Sequence, residues 1–257
     1  MKKVLSVIAC TATLLSTPTF AKQVRLASDF TYPPFNYKDQ SGNPTGFDIE
    51  IADALCAEAK LDCTWVAQNW DSLIPSLLAR KSDVIMASMR ITEERKKRVL
   101  FTNKYYQTPA RFVTATDAKV DISAQGMKDK VIGVQGGTIH DRYVTDKFGD
   151  VAEIKRYTGQ DEVYIDMVNG RLDLTFGNSD QLALAFLAKD IGQGFKFVGQ
   201  PVTDKAYIGE GTALALRQND KALAEKFNKA IVAIRANGTY DKIAKKYFSF
   251  DIYGEEL

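Results

Sequence analysis

The chain has 257 residues, of which 45% are hydrophobic and 26% charged, and its formal net charge is +2. That length allows one large domain or two modest ones, and the composition excludes disorder on a large scale. A charge so near neutrality excludes a basic surface built to hold a nucleic-acid backbone.

The chain opens on an export leader. Lys2 and Lys3 form a short basic head, Val4 to Leu15 is an apolar run, and Thr19-Phe20-Ala21 places small residues where a signal peptidase reads. Cleavage is expected after Ala21, which puts the mature protein in the periplasm. Val7-Ile8-Ala9-Cys10 resembles a lipoprotein box, but it leaves an apolar stretch shorter than an export core. No later stretch is long and apolar enough to span a bilayer, and no anchoring segment of a membrane receptor is expected before Leu257. Loss of the two lysines takes the net charge from +2 to about zero. Cys56 and Cys63 then remain, and in an oxidising compartment they are expected to form one disulfide, contributing about 2–3 kcal/mol. No histidine lies near them to complete a metal site.

Val24 to Ala27 has strand character. Gly46 to Ala59 has the spacing of a helix, with Ile51, Ala52, Leu55 and Cys56 inward and Asp48 placed to cap it. Thr64 to Val66 is a second strand, Asp71 to Arg80 a second helix, and Val84 to Ala87 a third strand. Strands alternating with helices predict an α/β unit with a largely parallel sheet. The pattern then restarts: Lys130 to Val134 is a strand, Gly136-Gly137 opens a helix, Glu162 to Asn169 is a helix and Leu172 to Phe176 a strand. The stretch Leu78-Ala79-Arg80-Lys81-Ser82-Asp83-Val84-Ile85 echoes Val168-Asn169-Gly170-Arg171-Leu172-Asp173-Leu174-Thr175, as two similarly built lobes would. Thr108 to Val113 and Phe195 to Val202 are extended and apolar, fitting strands that cross between lobes. Asp220 to Phe248 is helical, with a stop at Asn237-Gly238.

Ligands of open α/β sheets bind beyond the carboxyl ends of the strands. The residues in those positions are Asp29, Ser88 with Met89 and Arg90, Gln135 to Thr138, and Asn178-Ser179-Asp180. Thr92 is a helix N-cap, which places Arg95 in a first turn where the dipole disfavours a cation. A carboxylate gripped by the guanidinium resolves that conflict; a surface ion pair with Glu58 or Glu94 is the plainer alternative. Tyr32, in the turn Tyr32-Pro33-Pro34-Phe35, and Trp70 offer two aromatic faces for an aliphatic chain or a cation, or else pack in the core. Asp29 is either a counter-charge for a cationic ligand or a turn residue. Gly136-Gly137-Thr138 offers amides at a helix start, and His140 in that helix is expected to be solvated. Enzyme signals are poor: one histidine, no nucleophile motif, no phosphate loop, no metal spacing and no cofactor fingerprint.

The stretch from Gly46 to Cys56, Tyr32-Pro33-Pro34-Phe35, Asp71 to Leu77, Ile91-Thr92-Glu93-Glu94-Arg95, Gly170-Arg171-Leu172-Asp173 and Asn237-Gly238-Thr239-Tyr240 resemble the motifs of polar amino-acid-binding proteins of ABC importers. Within them the chain is most similar to the branch that binds lysine, arginine, ornithine and histidine, whose disulfide Cys56 and Cys63 also match. The resemblance implies a type II periplasmic binding protein: lobe 1 from residues 22–109 and 200–257, lobe 2 from 110–199, joined by two hinge strands. It implies a monomer that delivers an amino acid to a membrane permease, without cofactor or metal. It assigns the ligand α-carboxylate to Arg95, the Thr138 amide and the Ser88 hydroxyl, the ligand side chain to Tyr32 and Trp70, and its distal cation to Asp29. Two positions depart from the pattern. Asn178 stands where the family places an aspartate for the α-ammonium, and Arg90 where a small or acidic residue is usual, pointing either outward or into the cleft as a second anion contact. Both departures would suit a modified amino acid such as an opine. A cyclohexadienyl dehydratase on the same fold is the enzymatic alternative.

Overall fold

A computed structural model describes residues 23–254; the leader lies outside the described residues. Two five-stranded sheets organise the chain. In the first, Val24–Ser28 lies between Cys63–Ala67 and Val84–Ile85, both parallel to it, and Ala215–Leu216 and Leu100–Phe101 complete the sheet antiparallel. In the second, Val131–Gln135 lies between Glu153–Tyr157 and Leu174–Asn178, again both parallel, and Ala110–Ala115 and Phe195–Val202 complete it antiparallel. Helices flank both sheets. The chain passes from the first sheet to the second between Phe101 and Ala110, and back between Val202 and Ala215.

The sequence echo is a structural one. Arg80 and Gly170 each end a helix with positive φ, at 60° and 67°. The residues that follow, Lys81 and Arg171, donate back to Ser76 and Asp166 at 2.9 Å each. Asp83 and Asp173 then each donate their backbone N–H to the first strand of their own sheet and accept one in return, from Arg25 and from Val131. Such a C-terminal cap followed by an aspartate clamp delivers the chain to the sheet in both lobes. Arg25 and Arg217 flank Asp83 at 2.9 and 3.0 Å. Burial raises the Asp83 carboxyl, but these partners prevail and hold it down at about 2.

The helix Phe47–Glu58 begins without the cap expected of Asp48. Gly46 leads into it at φ 118°, where a Cβ would come within 2.4 Å of the Phe35 carbonyl oxygen, so only glycine fits there. Asp48 lies inside the first turn and points into the core. The core of the first lobe is aromatic: Phe35 stacks on Tyr106 at 4.9 Å, and Phe47 meets Phe248 edge-on at 5.2 Å. The C-terminal helices Lys221–Ala236 and Thr239–Ala244 return to this lobe, with Phe227, Ile231, Ile234 and Tyr240 buried against it. The second lobe closes around Phe112, Phe148 and Phe176, with Tyr164 stacked on Phe186 at 4.6 Å.

Cys56 and Cys63 are bonded across a separation of 7 residues, joining the end of the helix Phe47–Glu58 to the strand beside it. Closing so short a loop removes about 2–3 kcal/mol of unfolded-state entropy. Replacing both cysteines by alanine is expected to lower the unfolding free energy by that amount in a urea titration, without loss of the native circular-dichroism spectrum.

Candidate functional site

A small cavity, partly open to solvent, lies where the carboxyl ends of the two sheets face each other. From the first lobe it is lined by Asp29, Tyr32, Trp70, Ser88, Arg90 and Arg95, and from the second by Gln135, Thr138, His140 and Asn178. The eight residues singled out in the sequence as ligand contacts therefore come together from both lobes. The lobes touch around the cavity: Trp70 Nε1 donates to the Gly137 carbonyl at 3.2 Å, and Glu94 and Arg142 approach to 3.5 Å.

Local structure explains each placement. Thr92 caps the short helix Glu93–Lys96 by accepting from the Arg95 N–H at 3.2 Å. The Arg95 guanidinium then turns inward, donates to the Arg90 carbonyl at 3.1 Å and lies 5.3 Å from the Trp70 ring. It has no carboxylate partner among the described residues; Glu94 is paired with Arg142 instead. Burial brings Arg95 down to about 10. Asp29 follows the first strand and accepts from Thr31 at 3.2 Å through one oxygen, while its other oxygen, Oδ1, is buried without a partner. Burial raises its carboxyl to about 6 despite the hydrogen bond from Thr31. Tyr32 follows Asp29 and stacks on Phe35 at 5.8 Å, beside the cis Pro33–Pro34 bond. Trp70 opens a short 3-10 turn, Trp70–Ser72, ahead of the helix Leu73–Leu78.

Ser88 adopts φ 52° and donates its hydroxyl hydrogen to Asp48 at 2.8 Å. With that hydrogen directed to Asp48, the Ser88 oxygen keeps its lone pairs toward the cavity. Arg90 points into the protein, only 4% exposed. Its Nη2 donates to the Thr108 carbonyl at 2.6 Å and hydroxyl at 2.5 Å, while Nη1 is buried without a partner. In the second lobe Thr138 caps the helix Ile139–Phe148 through its side chain. Asn178, at the end of Leu174–Asn178, caps the next turn: its Oδ1 accepts from the Asp180 and Gln181 N–H groups at 2.9 and 3.3 Å.

His140 is not solvated as expected. It is half-buried against Phe176, ring edge to face at 5.6 Å, with Nε2 enclosed and unpartnered. Burial, together with the nearby charges of Arg90 and Arg95, pushes it down to about 3. The signal was present in the sequence: once Thr138 is the cap, His140 falls four and eight residues before Val144 and Phe148, on the buried face of the helix. Gln135 also lines the cavity and donates to the Thr158 carbonyl at 3.2 Å. Among the described residues no group of side chains is arranged to hold a metal, and no helix is long and apolar enough to cross a membrane.

Two similarly built α/β lobes that share a polar cavity, with the chain passing twice between them, define a two-lobed binding protein. The chain belongs to the bacterial extracellular solute-binding proteins, family 3, whose sequence pattern matches residues 24–250. It is 48% identical over 257 residues to an L-arginine-binding protein of Pseudomonas aeruginosa, covering 99% of each chain. It is 40% identical to the histidine-binding periplasmic protein of Escherichia coli K12, covering 99% of this chain and all of that one, 100%. Among solved structures, a Salmonella typhimurium periplasmic binding protein of high arginine specificity superposes with a TM-score of 0.82 at 30% identity, covering 89% of this chain and 100% of that one.

Beneath the cavity floor, the Asp48 carboxylate accepts from Asn36 Nδ2 at 2.9 Å, Ser88 Oγ at 2.8 Å and the Tyr105 hydroxyl at 2.7 Å. Asp48→Ala leaves those three donors facing a void. The expected cost is about 3–5 kcal/mol, read as a fall in the urea midpoint.

Proposed function

We propose that this protein is an extracytoplasmic binding protein that captures a basic amino acid (arginine, lysine, ornithine or histidine) by hinge closure and delivers it to an ABC importer. The observation that carries the reading is the pair of half-buried, oppositely charged groups in one cavity, the Arg95 guanidinium, which has no carboxylate partner among the described residues, and the Asp29 carboxylate, whose Oδ1 is enclosed without a partner. A carboxylate at Arg95 and a cation at Asp29 would each receive a counter-charge in a site already desolvated, where such hydrogen bonds are strongest. Tyr32 and Trp70 would flank the aliphatic part of the ligand, and the Thr138 amide would add a donor for its carboxylate. The named relatives are arginine- and histidine-binding proteins, which supports a binding role over the dehydratase alternative.

In this reading lobe 1 comprises residues 22–109 and 200–257 and lobe 2 residues 110–199. The leader directs export to the periplasm, and the protein acts as a monomer that meets its permease transiently. Closure would be favoured by ligand because groups of both lobes line one cavity; a ligand shifts the equilibrium only by its differential affinity for the closed state. The bare contacts between lobes are modest: Glu94 and Arg142 are exposed enough for their pair to contribute little.

Isothermal titration of the purified protein with the four amino acids tests the reading, and at least one is expected to bind with a micromolar or lower Kd, which corresponds to about 8 kcal/mol or more. Arg95→Met is expected to weaken that binding at least a hundredfold, while the ligand-free protein keeps its melting temperature within a few degrees. No binding of any of the four to the unmodified protein would overturn the assignment.

The Asp29 carboxyl also sets a pH dependence. It titrates at about 6 in the empty site, and a bound cation favours its charged form, so binding expels its proton at low pH. Affinity is therefore full above pH 6 and falls as pH drops below it, by up to tenfold per unit. Titrations between pH 8 and pH 4.5 are expected to show this slope, and Asp29→Asn to remove it.

A further inference from the structure

Resting on the hinge-closure reading, we infer that Arg90 is a positioning residue: it ties the first lobe to the pivot of the outgoing crossing, Thr108, and so favours the lobes-together conformation for every ligand alike. Backbone hydrogen bonds locate the pivots. In the outgoing crossing the Gln107 N–H donates to the Ile252 carbonyl at 3.0 Å, and Ile252 is buried in the core of the first lobe. Two residues on, the Pro109 carbonyl accepts from Ser179 of the second lobe, also at 3.0 Å. Thr108 lies between these two anchors. In the returning crossing Ile208 is buried in the core of the second lobe, whereas the Glu210 N–H donates to the Ile91 carbonyl of the first lobe at 3.1 Å. Gly209 between them has φ 78°, and a Cβ there would come within 2.2 Å of that same carbonyl oxygen, so glycine is required. The helix Lys205–Ile208 thus goes with the second lobe, which refines the boundary proposed at residue 200 to Gly209.

Arg90 lies between the two crossings. Its backbone pairs with Thr212 of the returning chain, which pairs in turn with Tyr106 of the outgoing one. Its side chain reaches Thr108, where Nη2 donates to the carbonyl at 2.6 Å and to the hydroxyl at 2.5 Å. The Thr108 carbonyl shares a rigid peptide plane with Pro109, whose ring fixes the next φ. That carbonyl therefore turns with the second lobe, while Arg90 is held in the first. Rotation at Thr108 swings the acceptor away from the guanidinium, so both bonds belong to the conformation in which Trp70 meets Gly137 across the lobes. Arg90 and Thr108 are both buried, and a buried cation that loses its acceptors is strongly disfavoured. Arg95 donates to the Arg90 carbonyl at 3.1 Å, so the same residue also steadies the guanidinium proposed to hold the ligand carboxylate. Apparent affinity scales with the population of the binding-competent conformation, and weakening the tie lowers it through closure.

Thr108 lies outside the cavity lining, so a double-mutant cycle separates this role from a ligand contact. The unmodified protein, Thr108→Val, Arg90→Met and the double variant are titrated with arginine, lysine, ornithine and histidine. Thr108→Val, nearly isosteric, is expected to weaken whichever of the four bind by about threefold or more, and Arg90→Met by about tenfold or more. In the Arg90→Met background Thr108→Val is expected to add almost nothing. Stopped-flow kinetics are expected to place the loss in the dissociation rate. Unchanged affinity in Thr108→Val, or full additivity of the two changes, overturns the inference while the basic amino-acid reading stands. Should the unmodified protein bind none of the four, that reading falls, and hydrogen exchange of the empty protein decides for Arg90. Arg90→Met is then expected to speed exchange at the hydrogen-bonded amides of Tyr105, Gln107, Glu210 and Thr212 but not within the two sheets, and unchanged exchange at those four overturns the role of Arg90 as well.

Discussion

The site depends on one buried carboxylate. Asp48 is fully enclosed, and burial alone raises its carboxyl, yet three donors converge on it. They come from different parts of the first lobe: Asn36 from the strand Asn36–Lys38 of a small three-stranded sheet, Ser88 from the turn after the strand Val84–Ile85, and Tyr105 from the aromatic core. Asn36 is itself held by the Ser28 hydroxyl at 2.9 Å, so the network reaches the last residue of the first strand, one position before Asp29. A charge in a low-dielectric interior is tolerated only when its acceptor capacity is filled, and once filled it fixes geometry. Here it fixes Ser88 in a left-handed conformation, and the chain that leaves Ser88 carries Arg90 and Arg95.

Above that floor the cavity is assembled from incompletely satisfied groups. Asp29 Oδ1, Arg90 Nη1 and His140 Nε2 are all buried and unpartnered, and all three residues line it. Natural interiors pair almost all such atoms, so these three describe what a ligand in the cavity must offer. The lining is also asymmetric. Asp29 and the two arginines come from the first lobe, whereas the second contributes Gln135, Thr138, His140 and Asn178, uncharged or held neutral. Charge matching can thus begin in one lobe, with the second adding hydrogen bonds of defined direction.

Much of this architecture was legible in the sequence because it rests on local rules. The Thr92 cap, the cysteine pair and the repeated helix end followed by basic residue, aspartate and strand all involve residues within a few positions of one another. Each reappears in the structure with the expected partners. What escaped was settled by tertiary contacts. Asp48 has the residue type and position of a helix cap, but Gly46 takes that place because the Phe35 carbonyl lies too close for any side chain. The direction of Arg90 depends on Thr108, a residue 18 positions away. The Ser88 hydroxyl gives its hydrogen to a residue 40 positions away, a contact that no local pattern encodes. His140 differs from these, since its place on the buried helix face followed from the spacing, but a lone histidine among polar neighbours reads as solvated.

Trp70 joins two properties in one side chain. Its ring lines the cavity and lies against the Arg95 guanidinium, and its indole N–H reaches the carbonyl of Gly137 in the other lobe. The chain has only one other tryptophan, Trp65, set edge-on against Phe30 within the first lobe. Occupancy of the cavity and the approach of the lobes therefore act on the same indole, whose emission depends on nearby charge and on hydration. The protein carries its own optical reporter of closure, and no dye need be attached to follow it in real time.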